Sequence, residues 1–129
     1  MPATRLGLGY GFVDVKRLVD LLGPAAAKEI LYTGRRFTAT EAFYMGFLTK
    51  VVPTDGLAAA VGELAERLAA NAPMTIRAMK RCIAEAIKDP AERDIALCRR
   101  LVEACFASED YVEGRQAFME KRKPAFKGR

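Results

Sequence analysis

The chain contains no histidine and only three cysteines. Lacking histidine, it lacks the commonest general base. Ser-His-Asp and Cys-His catalysis are therefore excluded within this chain. Proton transfer has to come from carboxylates, lysines, tyrosines or groups on another chain. Cys82, Cys98 and Cys105 make no CxxC pair, so no metal site is expected. Cys82 falls on an apolar helical stripe and reads as a buried structural thiol. An odd cysteine count fits a reducing compartment better than a disulfide framework. No run of about eighteen apolar residues occurs, so neither a transmembrane helix nor a membrane partner is expected. The N-terminus also lacks the charged-then-apolar order of a secretory signal. The expected setting is soluble and cytoplasmic.

What is present is enough for one domain: 129 residues, 51% of them apolar, can bury a core. The net charge of +5 is unevenly spread. Through residue 120, sixteen basic side chains balance sixteen acidic ones; the whole excess lies in Lys121, Arg122, Lys123, Lys127 and Arg129. Such a tail either meets a phosphate-bearing partner or is simply a solvated terminus. With the excess confined to the last nine residues and no groove-reading motif, nucleic acid is not expected as a partner.

Local signals organise the chain into helices. Gly7, Gly9 and Gly11 alternate with Leu8 and Tyr10, as in a short strand or an irregular loop. They make no nucleotide fingerprint, because Phe12 and Val13 stand where a third glycine has to follow. Asp14 is an N-cap residue type and is expected to open a helix that Gly23 ends. Pro24 suits the first position of the next helix, which stops near Gly34. Thr38 and Glu41 have capping-box spacing, which predicts a short helix over 39–45 closed by Gly46. Thr49 to Val52 is a brief β-branched stretch, too short to build a sheet alone. From Asp55 onward the pattern is helical: Leu57, Val61, Leu64 and Leu68 on one helix, then Ile76, Met79, Cys82 and Ile83 after a break at Asn71 and Pro73. Pro90 separates a further helix containing Ile95, Leu101 and Phe106, and Ser108 is expected to cap a last helix running to about Arg122. Tyr32, Phe37, Phe43, Tyr44 and Phe47 read as packing residues, and Arg35 and Arg36 as a solvated charged turn.

Three stretches together resemble the crotonase (enoyl-CoA hydratase/isomerase) superfamily. PATRLGLGYGFVDVKRL is similar to its Pro-Glu-x-x-x-Gly segment with the following glycine turn and Arg-Leu helix. LYTGRRFTATEAFYMGFLTKVVP is similar to its Thr-Gly, Glu-Ala, Gly-Leu-Val and Val-Val-Pro stretch. EDYVEGRQAFMEKRKPAFKGR is similar to its Glu-Gly, Ala-Phe, Lys-Arg-x-Pro-x-Phe ending. The order matches, and the resemblance covers the chain but only the second half of a usual member.

The resemblance implies a mainly α fold: the C-terminal helical portion of the crotonase-like α/β fold, with one or two short strands. Residues 1–53 would be the remnant of the spiral core and 54–129 the helical assembly region. It implies acyl-CoA thioesters as substrates, no covalently bound cofactor, and a homo-oligomer, trimeric or hexameric in the family. The family's oxyanion hole stabilises enolate-like intermediates with two backbone N–H groups. Both donors, and the first hydratase glutamate, belong to the half this chain does not match. The second glutamate would follow Pro2, where Ala3 stands and cannot exchange protons. Asp14 is a candidate substitute carboxylate, its other reading being a helix cap. Gly11 matches a glycine bordering the acyl pocket, its other reading being a turn that needs positive φ. Phe118 and Lys121 match a CoA-binding phenylalanine and lysine that reach a neighbouring subunit. Their spacing of three would place them on one helix face; otherwise they are a core ring and a solvated ammonium. An isolated chain of this kind is expected to be inactive, as a piece of an acyl-CoA enzyme or, alternatively, as a non-catalytic helical oligomerisation module.

Overall fold

The computed structural model describes residues 3–129, which are helical with irregular connections. The helices are α1 (Ala3–Leu6), α2 (Phe12–Thr33), α3 (Ala39–Tyr44), α4 (Leu57–Ala69), α5 (Pro73–Ala86), α6 (Ile95–Phe106) and α7 (Glu109–Met119), with 3-10 turns at Thr54–Gly56 and Pro90–Glu92. The chain divides into two compact units, Met1–Leu57 and Ala58–Arg129. Pro2, at the head of the first family-like segment, lies outside the described residues.

The expected short strands are a correction: among the described residues there is none. Residues 7–11 form a loop, with Gly7 at φ 68, and Thr49–Val52 is irregular. A β-branched run becomes a strand only when a neighbour takes its backbone hydrogen bonds, and no described residues provide that neighbour.

In the first unit, Gly23 breaks α2 at φ 77 and ψ 165, so Pro24 begins a fresh helical segment where its missing N–H costs nothing. Leu18, Ala27 and Ile30 from the two segments form a small buried core, with Val19, Leu22, Leu31, Phe37 and Met45 against it. The Thr4 hydroxyl of α1 donates to the Leu31 carbonyl. The predicted capping box forms in full: the Glu41 N–H donates to the Thr38 hydroxyl at 3.2 Å, and the Thr38 N–H donates to the Glu41 carboxylate at 2.8 Å. Gly46, at φ 81, ends α3, with the Gly46 N–H donating to Phe43 O at 2.9 Å and Phe47 N–H to Ala42 O at 2.8 Å.

Arg35 is not the solvated residue expected. Its guanidinium bridges Glu29 at 2.6 Å and Glu41 at 2.7 Å and lies 3.8 Å from the centre of the Phe37 ring. Phe37 alone of the five aromatics read as packing residues joins this core; Tyr32, Phe43, Tyr44 and Phe47 are exposed.

Helix α4, which lies in the second unit from Ala58 on, has the predicted stripe of Leu57, Val61, Leu64 and Leu68, yet it buries none of its residues. α5 and α6 pack as an antiparallel hairpin. Its closed end is tied by Glu85, which is 1% exposed and whose carboxylate accepts from the Asp94 N–H at 3.0 Å and from Lys88 at 2.6 Å. Asp94 in turn caps α6 by accepting from the Leu97 N–H at 2.7 Å. Ser108 caps α7 as predicted, accepting from the Tyr111 N–H at 3.1 Å.

Candidate functional site

The four residues singled out from the sequence fall in two places. Gly11 and Asp14 lie in the first unit, at the start of α2. Gly11, not Asp14, is the N-cap, with φ −65 and ψ 155, so the turn does not need the positive φ expected of it. Asp14 sits in the first helical turn, where its charge faces the positive end of the helix. Its carboxylate is exposed and lies 3.9 Å from where a Cβ on Gly11 would stand. Leu6, Leu8 and Phe12 are exposed around this loop. The position after Pro2 is occupied by Ala3, a buried methyl group.

Phe118 and Lys121 lie in the second unit, at the end of α7. This helix stops at Met119 rather than near Arg122, because the chain turns back on itself. The Arg122 N–H donates to Ala117 O at 3.0 Å and the Lys121 N–H to Phe118 O at 3.3 Å. That pair of bonds requires the residue after the cap to be left-handed, a place usually filled by glycine. Here it is Lys121, with φ 54. The spacing argument for one helix face therefore fails: Lys121 is past the helix, and its side chain is directed by the turn. Phe118 is 82% exposed, and Lys121 makes no ion pair among the described residues.

The tail beyond Lys121 folds back along α7, which the concentration of positive charge in it did not foretell. Asp110, only 3% exposed, accepts from the Lys127 N–H at 2.6 Å and the Gly128 N–H at 2.8 Å. Glu113 accepts from the Ala125 N–H at 2.8 Å and from Arg122 at 2.6 Å. Those two contacts, Arg122 first, hold the Glu113 carboxyl down to about 2. Arg122 also pairs with Glu120 at 2.5 Å, and Arg129 with Glu109 at 3.0 Å. Two of the five excess cations are thus spent on the fold, and Lys121, Lys123 and Lys127 remain. Phe126 closes on Gly114, where an added Cβ would lie 3.4 Å from the ring.

Between α5, α6, α7 and this tail runs an apolar groove of about 770 Å³, of ordinary ligand-pocket size. Ala78, Met79, Val102, Phe106, Phe118 and Phe126 supply its walls, with Arg115 the cation at its edge. Sequence reasoning found Phe118 but not the groove, whose walls come from three helices and the returning tail. Among the described residues no cluster of acidic, cysteine or histidine side chains is placed to hold a metal. No helix of the described residues is long and apolar enough to cross a membrane.

The sequence model of the enoyl-CoA hydratase/isomerase family matches residues 1–129. A crotonyl-CoA hydratase of Syntrophomonas wolfei is 35% identical over 125 residues, covering 97% of this chain and 48% of that protein. A carnitinyl-CoA dehydratase of Citrobacter koseri is 38% identical over 133 aligned positions, covering all of this chain and 51% of that protein. Among solved structures, an enoyl-CoA hydratase of Bacillus anthracis superposes with a TM-score of 0.86 at 36% identity, covering 99% of this chain and 50% of its own. The chain belongs to the enoyl-CoA hydratase/isomerase, or crotonase, family. It spans about half the length of the relatives it matches.

Proposed function

We propose that this chain is the C-terminal half of a crotonase-type protein acting on acyl-CoA thioesters, and that it carries a CoA-contacting end without a complete catalytic centre. Residues 1–53 are read as the remnant of the spiral core and residues 54–129 as the assembly region. The observation that carries the reading is the end of α7. Phe118 presents an uncovered ring, and Lys121 is held left-handed by a turn that glycine would fill at less cost. That lysine and not glycine is kept in this conformation supports a role for its side chain. The ring suits stacking on adenine and the ammonium suits a phosphate. Gly11 is read as acyl-pocket wall, with Asp14 the carboxylate candidate.

Turnover by the isolated chain is not expected. The oxyanion donors belong to the half this chain does not match, and Ala3 stands at the hydratase glutamate position. Mixing purified protein with a short enoyl-CoA should leave the conjugated thioester absorbance unchanged. Calorimetric titration with CoA should show binding, weakened about five- to hundredfold by Phe118→Ala, the range for loss of one stacking ring. Robust hydration, or a Phe118→Ala variant that binds CoA as well as the parent, would overturn the reading.

A second reading is a non-catalytic oligomerisation module, favoured by α4, whose apolar stripe is uncovered. Light scattering after size exclusion separates the two: a well-behaved monomer that binds CoA leaves only the first.

A further inference from the structure

Apart from the CoA-contacting end, the α5–α6 hairpin places two of the three thiols face to face. Glu85 on α5 is bonded to the backbone N–H of Asp94, at the start of α6. One turn back along α5 from Glu85 is Cys82, and one turn forward along α6 from Asp94 is Cys98. Antiparallel helices keep opposing residues at a nearly constant sum of positions, so the Glu85–Asp94 tie sets Cys82 within one residue of directly opposite Cys98. The same register continues to Ala78 opposite Val102 and Thr75 opposite Cys105, all of which line the groove. The two thiols are near enough to influence each other, and both are half-buried. The proximity of Cys82, then burial, pushes the Cys98 thiol up.

Cys105 is excluded from this pairing by helix geometry. It lies seven residues beyond Cys98, about 10 Å along the axis at 1.5 Å per residue. That exceeds the roughly 4.4–6.8 Å between α-carbons that a disulfide spans.

We propose that Cys82 and Cys98 are a redox modification site, closing to a disulfide that cross-links α5 to α6 beside the groove when a small external disulfide is present. One protein thiolate attacks the external disulfide, expels a thiol and forms a mixed disulfide. The second protein thiolate then displaces the remaining small thiol. Two protein S–H bonds and one external S–S bond become one protein S–S bond and two external S–H bonds, and the external disulfide takes the two electrons. Because Cys82 lines the groove, small oxidants reach the pair from that side. Closure ties together two of the helices that line the groove.

The test uses the 129-residue chain, fully reduced, freed of reductant and incubated with oxidised glutathione at mildly alkaline pH. Alkylation followed by peptide mass spectrometry should find free thiols reduced from three to one, with Cys105 alone alkylated and a Cys82–Cys98 link that dithiothreitol reverses. Cys105→Ser should close the same link, whereas Cys98→Ser should yield no intramolecular link. In concentrated urea the preference should vanish, since all three pairings then compete. Three persistent free thiols would overturn the proposal. So would a predominance of Cys105-containing or intermolecular links, or the same pairing preference in urea.

Discussion

Replacing Asp110 with asparagine should release the C-terminal strap while leaving the helices formed. The buried carboxylate receives two backbone N–H groups, from Lys127 at 2.6 Å and Gly128 at 2.8 Å. Asparagine has nearly the same volume but offers one acceptor oxygen, and its amide group points two N–H bonds at a donor. One charge-assisted bond is lost and the other becomes neutral. Bonds to charged groups contribute about 1.5–3 kcal/mol each and neutral ones about 1 kcal/mol. The loss of favourable charge near the start of α7 adds roughly 0.5 kcal/mol. Relief of carboxylate desolvation works the other way, so a net loss of about 2–3 kcal/mol is expected. At about 1.4 kcal/mol per decade, that is roughly 30- to 150-fold. Amide hydrogen exchange reads it directly, because the two N–H groups bonded to Asp110 are themselves the reporters. Lys127 and Gly128 should lose protection by that factor, while Lys80, in the middle of α5, serves as the internal reference. Protection of both amides within about threefold of the parent would refute the latch.

The remaining predictions concern other ends and faces. Lys121→Gly should raise thermal stability, by up to about 1 kcal/mol, because glycine takes the left-handed turn without the Cβ clash; the same variant should bind CoA more weakly if the ammonium meets a phosphate. Glu41 and Glu113 have carboxyls depressed from 4.5 to about 2, so their stabilisation is full above about pH 4.5 and is lost as pH falls towards 2. An acid titration followed by the carboxyl chemical shifts of these two residues should show both midpoints well below those of an unfolded reference. On α4, Leu64 is 57% exposed, so Leu64→Glu should change the melting free energy of the monomeric chain by less than about 0.5 kcal/mol. A loss of 2 kcal/mol or more would mean that the stripe is covered in solution.

Local chemistry was legible in the sequence wherever cause and effect lie within one turn. Gly23 and Pro24 break α2, Thr38 and Glu41 start α3, and Ser108 starts α7, all by contacts between residues no more than four apart. The family was legible too, because its three segments are strings of residues. Asp14 as a cap was misplaced by three residues, since glycine at position 11 also adopts the extended cap conformation. The strands were misread at Thr49–Val52 because β-propensity is realised only against a neighbour.

Phe118 as a candidate, the basic tail and the helical stripes were therefore already written in the amino-acid order. Tertiary structure alone decided what they became. Asp110 looks like an ordinary first-turn acid until the chain returns, seventeen and eighteen residues later, to bring it two N–H donors. Glu85 looks like a surface residue of an amphipathic helix until Asp94 arrives from the next one. Lys121 reads as the fourth turn of a helix until that returning tail ends α7 early and sets its backbone left-handed. In each case the deciding partner is distant along the chain, and periodicity carries no information about which distant group will supply a hydrogen bond.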